Sequence, residues 1–84
     1  MYEVILERAA ERDLKKLPAD IFARIIPRIK ALVKNSRPEG CRKIAGSKDD
    51  WRIRVGEYRV VYEIREKTRT VAIMRVRHRR EVYR

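Results

Sequence analysis

Two short runs, residues 51–55 (WRIRV) and 58–64 (YRVVYEI), alternate apolar and polar side chains with a period of two and are separated by only Gly56-Glu57. No other feature constrains the chain as tightly. A two-residue loop with glycine first suits a type II′ turn, whose twist matches that of antiparallel strands. The hairpin then has one register. Val55 pairs with Tyr58, Arg54 with Arg59, Ile53 with Val60 and Arg52 with Val61. Side chains alternate faces along a strand. Trp51, Ile53, Val55, Tyr58, Val60, Tyr62 and Ile64 therefore form an apolar face, and Arg52, Arg54 and Arg59 project from the other. Directly opposed like charges destabilise a sheet. Packing gives no reason to set Arg54 against Arg59, whereas an anion between them does.

The remaining elements supply a cover for the apolar face. Residues 2–6 (YEVIL) read as a strand rich in β-formers. Residues 8–16 read as a short helix, with Ala9, Ala10, Leu14 and Leu17 near helical spacing. After the break at Leu17-Pro18, the stripe Ile21, Phe22, Ile25, Ile29, Leu32, Val33 predicts a second helix over 18–35, kinked at Pro27. Residues 41–44 form a short extended piece, and 70–77 (TVAIMRVR) the last strand. The main elements run β-α-α-β-β-β in one domain, 1–84. The expected fold is α+β: a helical hairpin packed on one face of a small, largely antiparallel twisted sheet. The opposite face is left free.

Charge points to that free face. Among 84 residues, 23 are basic and 12 acidic, for a net charge of +11. Residues 1–40 hold nine basic and six acidic side chains, and 41–84 hold fourteen and six, so net charge rises from +3 to +8 between the halves. Arginine outnumbers lysine sixteen to seven. Arginine's planar fork suits phosphate, so an arginine excess in one half implies a polyanion-binding surface, with nucleic acid the natural ligand. The hydrophobic content of 44% excludes a disordered polycation. No apolar run approaches the ~18 residues of a membrane span. A single cysteine, Cys41, makes no internal disulfide and fits a reducing compartment, the cytoplasm. One histidine and one cysteine fall short of the usual zinc ligand set.

Arg75, Arg77, His78, Arg79 and Arg80 extend the basic surface toward the C terminus. Which of them join the arginine face depends on the register of 58–64 with 70–77. A slip of one residue exchanges Arg75 and Arg77 for Met74 and His78, and the sequence leaves that register open. Asp49-Asp50 sits in a turn, where adjacent carboxylates rarely converge on one metal. No glycine-rich phosphate loop is present. The chemistry left is attack on a phosphodiester by RNA's own 2′-OH. That reaction needs a stabiliser for the crowded anionic phosphorane, which arginines supply, and groups that move protons. Imidazole and phenol are side-chain types that move protons, which brings in His78 and Tyr83, a phenol among cations.

The helical opening AAERDLKKLP, the hairpin WRIRVGEYRVVYEI and, most specifically, the ending VRHRREVYR resemble the RelE toxins of the RelE/ParE superfamily. The resemblance covers nearly the whole chain. It implies a metal-independent, ribosome-dependent endoribonuclease that cuts mRNA in the decoding A site, with no cofactor. It also implies roles. Arg52 and Arg54 match the family's basic strand pair, which is lysine in some members. Arg59 matches a phosphate stabiliser. Arg79 matches an acid or charge stabiliser, and Tyr83 a base or stacking platform. Arg75, Arg77, His78 and Arg80 are expected to bind RNA, His78 matching a histidine of only some members. The implied partners are the ribosome, through its 16S rRNA and A-site mRNA, and a RelB-like antitoxin, acidic and partly disordered. The second expectation is a ParE-like toxin that poisons DNA gyrase by protein binding, without nuclease activity. A plain RNA-binding module lacks support, since no aromatic RNP-type motif lies on the strands.

Overall fold

The computed structural model describes the backbone of residues 1–82 and the side chains of residues 1–80. The chain runs β1 (Glu3–Leu6), α1 (Arg8–Lys15), α2 (Ala19–Ala31), β2 (Arg42–Lys43), β3 (Asp50–Val55), β4 (Tyr58–Arg65), β5 (Thr70–His78) and α3 (Arg79–Val82). The strands form one sheet in the order β1-β5-β4-β3-β2. All neighbours are antiparallel except β1 and β5. The segment at 41–44 is a true edge strand of two residues, which makes five strands where the main-element order counts four.

Both helices cover the same sheet face. Ala10, Leu14, Ile25, Ile29 and Leu32 pack against Ile53, Val55, Val60, Tyr62, Ile64, Val71, Ile73 and Val76. Trp51 and Tyr58 belong to this face but are only half-buried at its margins. This is the apolar face that the alternation predicts. Tyr62 is the largest fully buried side chain, and its hydroxyl donates to the Ser36 carbonyl at 2.8 Å. Burial removes solvent from the phenolate, and the adjacent Cys41 side chain adds to the effect, so the phenol is held firmly protonated.

The second helix is shorter than its apolar stripe. Pro18 caps it with φ −57° and ψ 148°, and it ends at Ala31, after which residues 32–34 form turns. Leu32 remains fully buried beyond the helix end. Val33 is spent differently: its carbonyl accepts the Tyr2 amide at 2.8 Å, tying the helix exit to the start of β1. Pro27 lies inside the helix, as the sequence indicates.

Candidate nucleic-acid interface: a row of arginines across three strands

The hairpin register is the one its turn dictates: Val55 pairs with Tyr58, Arg54 with Arg59, Ile53 with Val60 and Arg52 with Val61. Gly56 has φ +60°, and Glu57 is not among the positive-φ residues, as a type II′ turn requires. The register of β4 with β5, open in the sequence, is Tyr58 with His78, Arg59 with Arg77, Val60 with Val76 and Val61 with Arg75. A bulge then intervenes, and Tyr62 pairs with Ile73. Arg54, Arg59 and Arg77 consequently stand in one cross-strand row on the face away from the helices. One step along the strands lies a second row, Arg52, Val61 and Arg75.

Arg59 is the unusual member. The sequence places it on an open face, yet it is 5% exposed. It sits on the central strand with an arginine paired on each side. Its buried Nε makes no hydrogen bond among the described residues, although the side chain has other interactions. Burying a guanidinium among like charges is costly. A phosphate docked on the row would be met by guanidinium groups from three strands. Arg54 is exposed and Arg52 and Arg77 are half-buried, so the row is reachable from solvent.

Arg75 turns to a partner that sequence reasoning passed over. Beyond Ile73, β5 has no β1 residue beside it, and α1 occupies that edge. Asp13 of α1 accepts the Val76 amide at 2.9 Å and two bonds from Arg75, from Nε at 2.8 Å and Nη2 at 3.1 Å. Burial alone raises the Asp13 pKa, but the Arg75 hydrogen bonds, the Val76 amide and the charges of Arg75 and Arg77 together hold it below the ordinary 3.8. Asp13 thus replaces the missing edge strand and fixes the end of β5 that carries Arg77. The sequence signal was weak: an aspartate between Arg12 and Leu14 on a charged helix looks like a solvated residue.

Arg79 continues the ladder. Its amide donates to the Glu57 carbonyl at 2.7 Å, and its Nε lies 3.2 Å from Glu57 Oε2. It therefore sits beside the hairpin turn, next to the arginine row. Arg80 follows in α3 and is exposed. His78 is separated from the row. It pairs with Tyr58 on the helix-side register, with ring centroids 5.2 Å apart and an interplanar angle of 83°. Its Nδ1 accepts the Arg80 amide at 3.2 Å. Tyr83 lies outside the described residues. Among the described residues, no three His, Cys, Asp or Glu side chains gather as metal ligands.

Comparisons with known proteins bear on the chain as a whole. Residues 4–83 match the family described as the ParE toxin of the type II toxin–antitoxin system, parDE. Toxin RelG of Mycobacterium tuberculosis is 34% identical over an 88-residue alignment that covers 99% of this chain and 97% of that one. A chain of the archaeal RelE–RelB complex from Pyrococcus horikoshii superposes with a TM-score of 0.81 at 25% identity, covering 93% of this chain and 94% of that chain. A chain of the RelB–RelE antitoxin–toxin complex from Methanococcus jannaschii gives 0.79 at 29% identity, over 94% of each. The isolated E. coli RelE toxin gives 0.83 at 23% identity, over 99% of this chain and 92% of that one, a likeness of fold. The fold is that of a toxin from a type II toxin–antitoxin module. The chain belongs to the ParE toxin family, within the RelE/ParE superfamily.

Proposed function

We propose that this toxin is a ribosome-dependent endoribonuclease that cuts mRNA in the A site and stops translation in the cytoplasm. One observation carries the reading: Arg54, Arg59 and Arg77 are aligned across three strands with Arg79 beside them. Such a row suits the charge that develops on a phosphorane.

RNA brings its own nucleophile. The 2′-oxygen attacks the adjacent phosphorus, the bond to the 5′-oxygen breaks, and a cyclic phosphate and a free 5′-hydroxyl result. Arg59 is the stabiliser of the equatorial oxygens, since it is preorganised by burial and needs little rearrangement in the transition state. Arg52 and Arg54 hold the flanking backbone. Arg79 stabilises the charge on the leaving 5′-oxygen, which takes its proton from water, and Tyr83 is the acceptor of the 2′-OH proton or a base-stacking platform. Ordinary guanidinium groups do not give up protons, so Arg52 and Arg54 bind rather than act as bases. A RelB-type antitoxin neutralises the same face at rest, in line with the relatives solved as complexes with RelB.

The match to the ParE family favours a second reading, poisoning of DNA gyrase through protein contacts. That activity gives the arginine row no work. Mapping mRNA 5′ ends in a translation reaction separates the two. Cuts phased with codons inside ribosomes support the nuclease. Intact mRNA accompanied by gyrase-linked DNA breaks overturns it.

A further inference from the structure

The arginine face is fenced on one side and open on another. The rows across the sheet change sign along the strands. The row nearest the hairpin turn is Arg54, Arg59 and Arg77, and the next holds Arg52 and Arg75 on either side of Val61. The third row on the same face is Asp50 opposite Glu63, two acids directly paired, followed by Ala72 and Ile5. A polyanion that ran along the strands would leave the arginines and meet Asp50 about 7 Å further on, with Glu63 beside it in an ion pair with Arg65. A polyanion that ran across the strands would stay on arginine. Toward β5 the second row ends at Arg75, whose charge is already met by Asp13. Toward β2 it continues, because Arg42 is the direct partner of Arg52.

Arg42 therefore shares the arginine face, while its neighbour Lys43 pairs with Trp51 on the helix side. Arg42 is exposed, and its side chain makes no ion pair or hydrogen bond among the described residues. The Arg42–Arg52 pair repeats the unfavourable juxtaposition of Arg54 with Arg59 at the very edge of the sheet. A charge on an edge strand also deters unwanted strand pairing, but either sign serves for that, so that role alone does not call for an arginine.

We propose that the RNA backbone crosses the strands at right angles and leaves the sheet over the β2 edge, where Arg42 holds a phosphate outside the catalytic row. The inference rests on the RNA reading above and adds the path of the strand and a contact residue. The phosphate belongs either to the mRNA or to ribosomal RNA, which present the same chemistry.

The test measures affinity for ribosomes against salt, with and without mRNA in the A site, for wild type, Arg42→Gln, Arg42→Glu and Arg28→Gln. Arg28 is an exposed helix residue and serves as the control. Loss of one single-strand phosphate contact removes about 0.7 from the logarithmic salt slope, which is about a fivefold loss of affinity at 0.1 M salt. Arg42→Gln should show that loss, Arg42→Glu a larger one, and Arg28→Gln none. A loss only on mRNA-programmed ribosomes assigns the phosphate to mRNA, and a loss on both assigns it to ribosomal RNA. Arg42→Gln indistinguishable from Arg28→Gln overturns the proposal. Cleavage is scored separately: wild type that binds ribosomes but leaves mRNA intact overturns the nuclease reading, while the slopes still decide Arg42. Wild type that does not bind ribosomes overturns both.

Discussion

Arg59 and Arg79 hold the same charge in opposite circumstances, and their substitutions should separate accordingly. Arg59 is buried at the centre of its row. Arg79 is 60% exposed, and its contact with Glu57 is a surface ion pair, which contributes little. Arg79→Ala is expected to lower cleavage by about a hundredfold or more while leaving stability within about 0.5 kcal/mol, by urea titration. Wild-type cleavage in this variant would remove Arg79 from the site. Arg59→Lys keeps the charge but loses the planar fork, so cleavage should fall with the circular dichroism spectrum unchanged. Asp13 makes the opposite kind of prediction. Its carboxylate is held below the ordinary 3.8, so it contributes stability at neutral pH that disappears as pH falls through and below that range. Asp13→Asn should cost about 1–3 kcal/mol at pH 7, and the gap to wild type should close in strong acid. A gap independent of pH would show that Asp13 acts through packing alone.

At the scale of elements, the β3–β4 hairpin was fully legible. A period of two on both sides of Gly56-Glu57 leaves a single register, and the buried set Ile53, Val55, Val60, Tyr62 and Ile64 follows from it. Gly56 is held at φ +60°, and an added Cβ would sit 3.2 Å from Arg24 Nη2. Gly56→Ala is therefore expected to destabilise the protein by about 1–2 kcal/mol, measured by urea unfolding, with Gly56→Asn milder. Equal stability of all three would show that the turn adapts. Other elements were less legible for identifiable reasons. The β4–β5 register hides a bulge between Val61 and Tyr62, which no alternation pattern announces. The second helix stops at Ala31 because its last apolar residues pack from a turn, and an apolar stripe does not distinguish the two. The burial of Arg59 depends on neighbours from two strands, one of them placed by the register that the sequence leaves open.

On the scale of the whole molecule, the net charge of +11 resolves into a face with a defined border. Ribosome association should weaken steeply with salt if this face meets RNA, and salt-independent association would argue for a protein target instead. An acidic antitoxin segment laid on the same rows should abolish the salt-dependent component, readable by repeating the titration on the toxin–antitoxin complex.

The pairing of β1 with β5 also sets the timing of biosynthesis. The first strand pairs in the sheet with β5, with Glu3 beside Thr70 and Leu6 beside Ile73. Contacts so distant in sequence form late, after a large loop has closed. The strand that completes the sheet is also the strand that brings Arg77 to the row. A nascent chain emerging N terminus first therefore lacks both the finished sheet and the finished arginine row until β5 has been synthesised. Stalled chains ending before residue 70 should remain protease-sensitive and harmless to the ribosome that makes them, and protection should appear only once β5 has emerged.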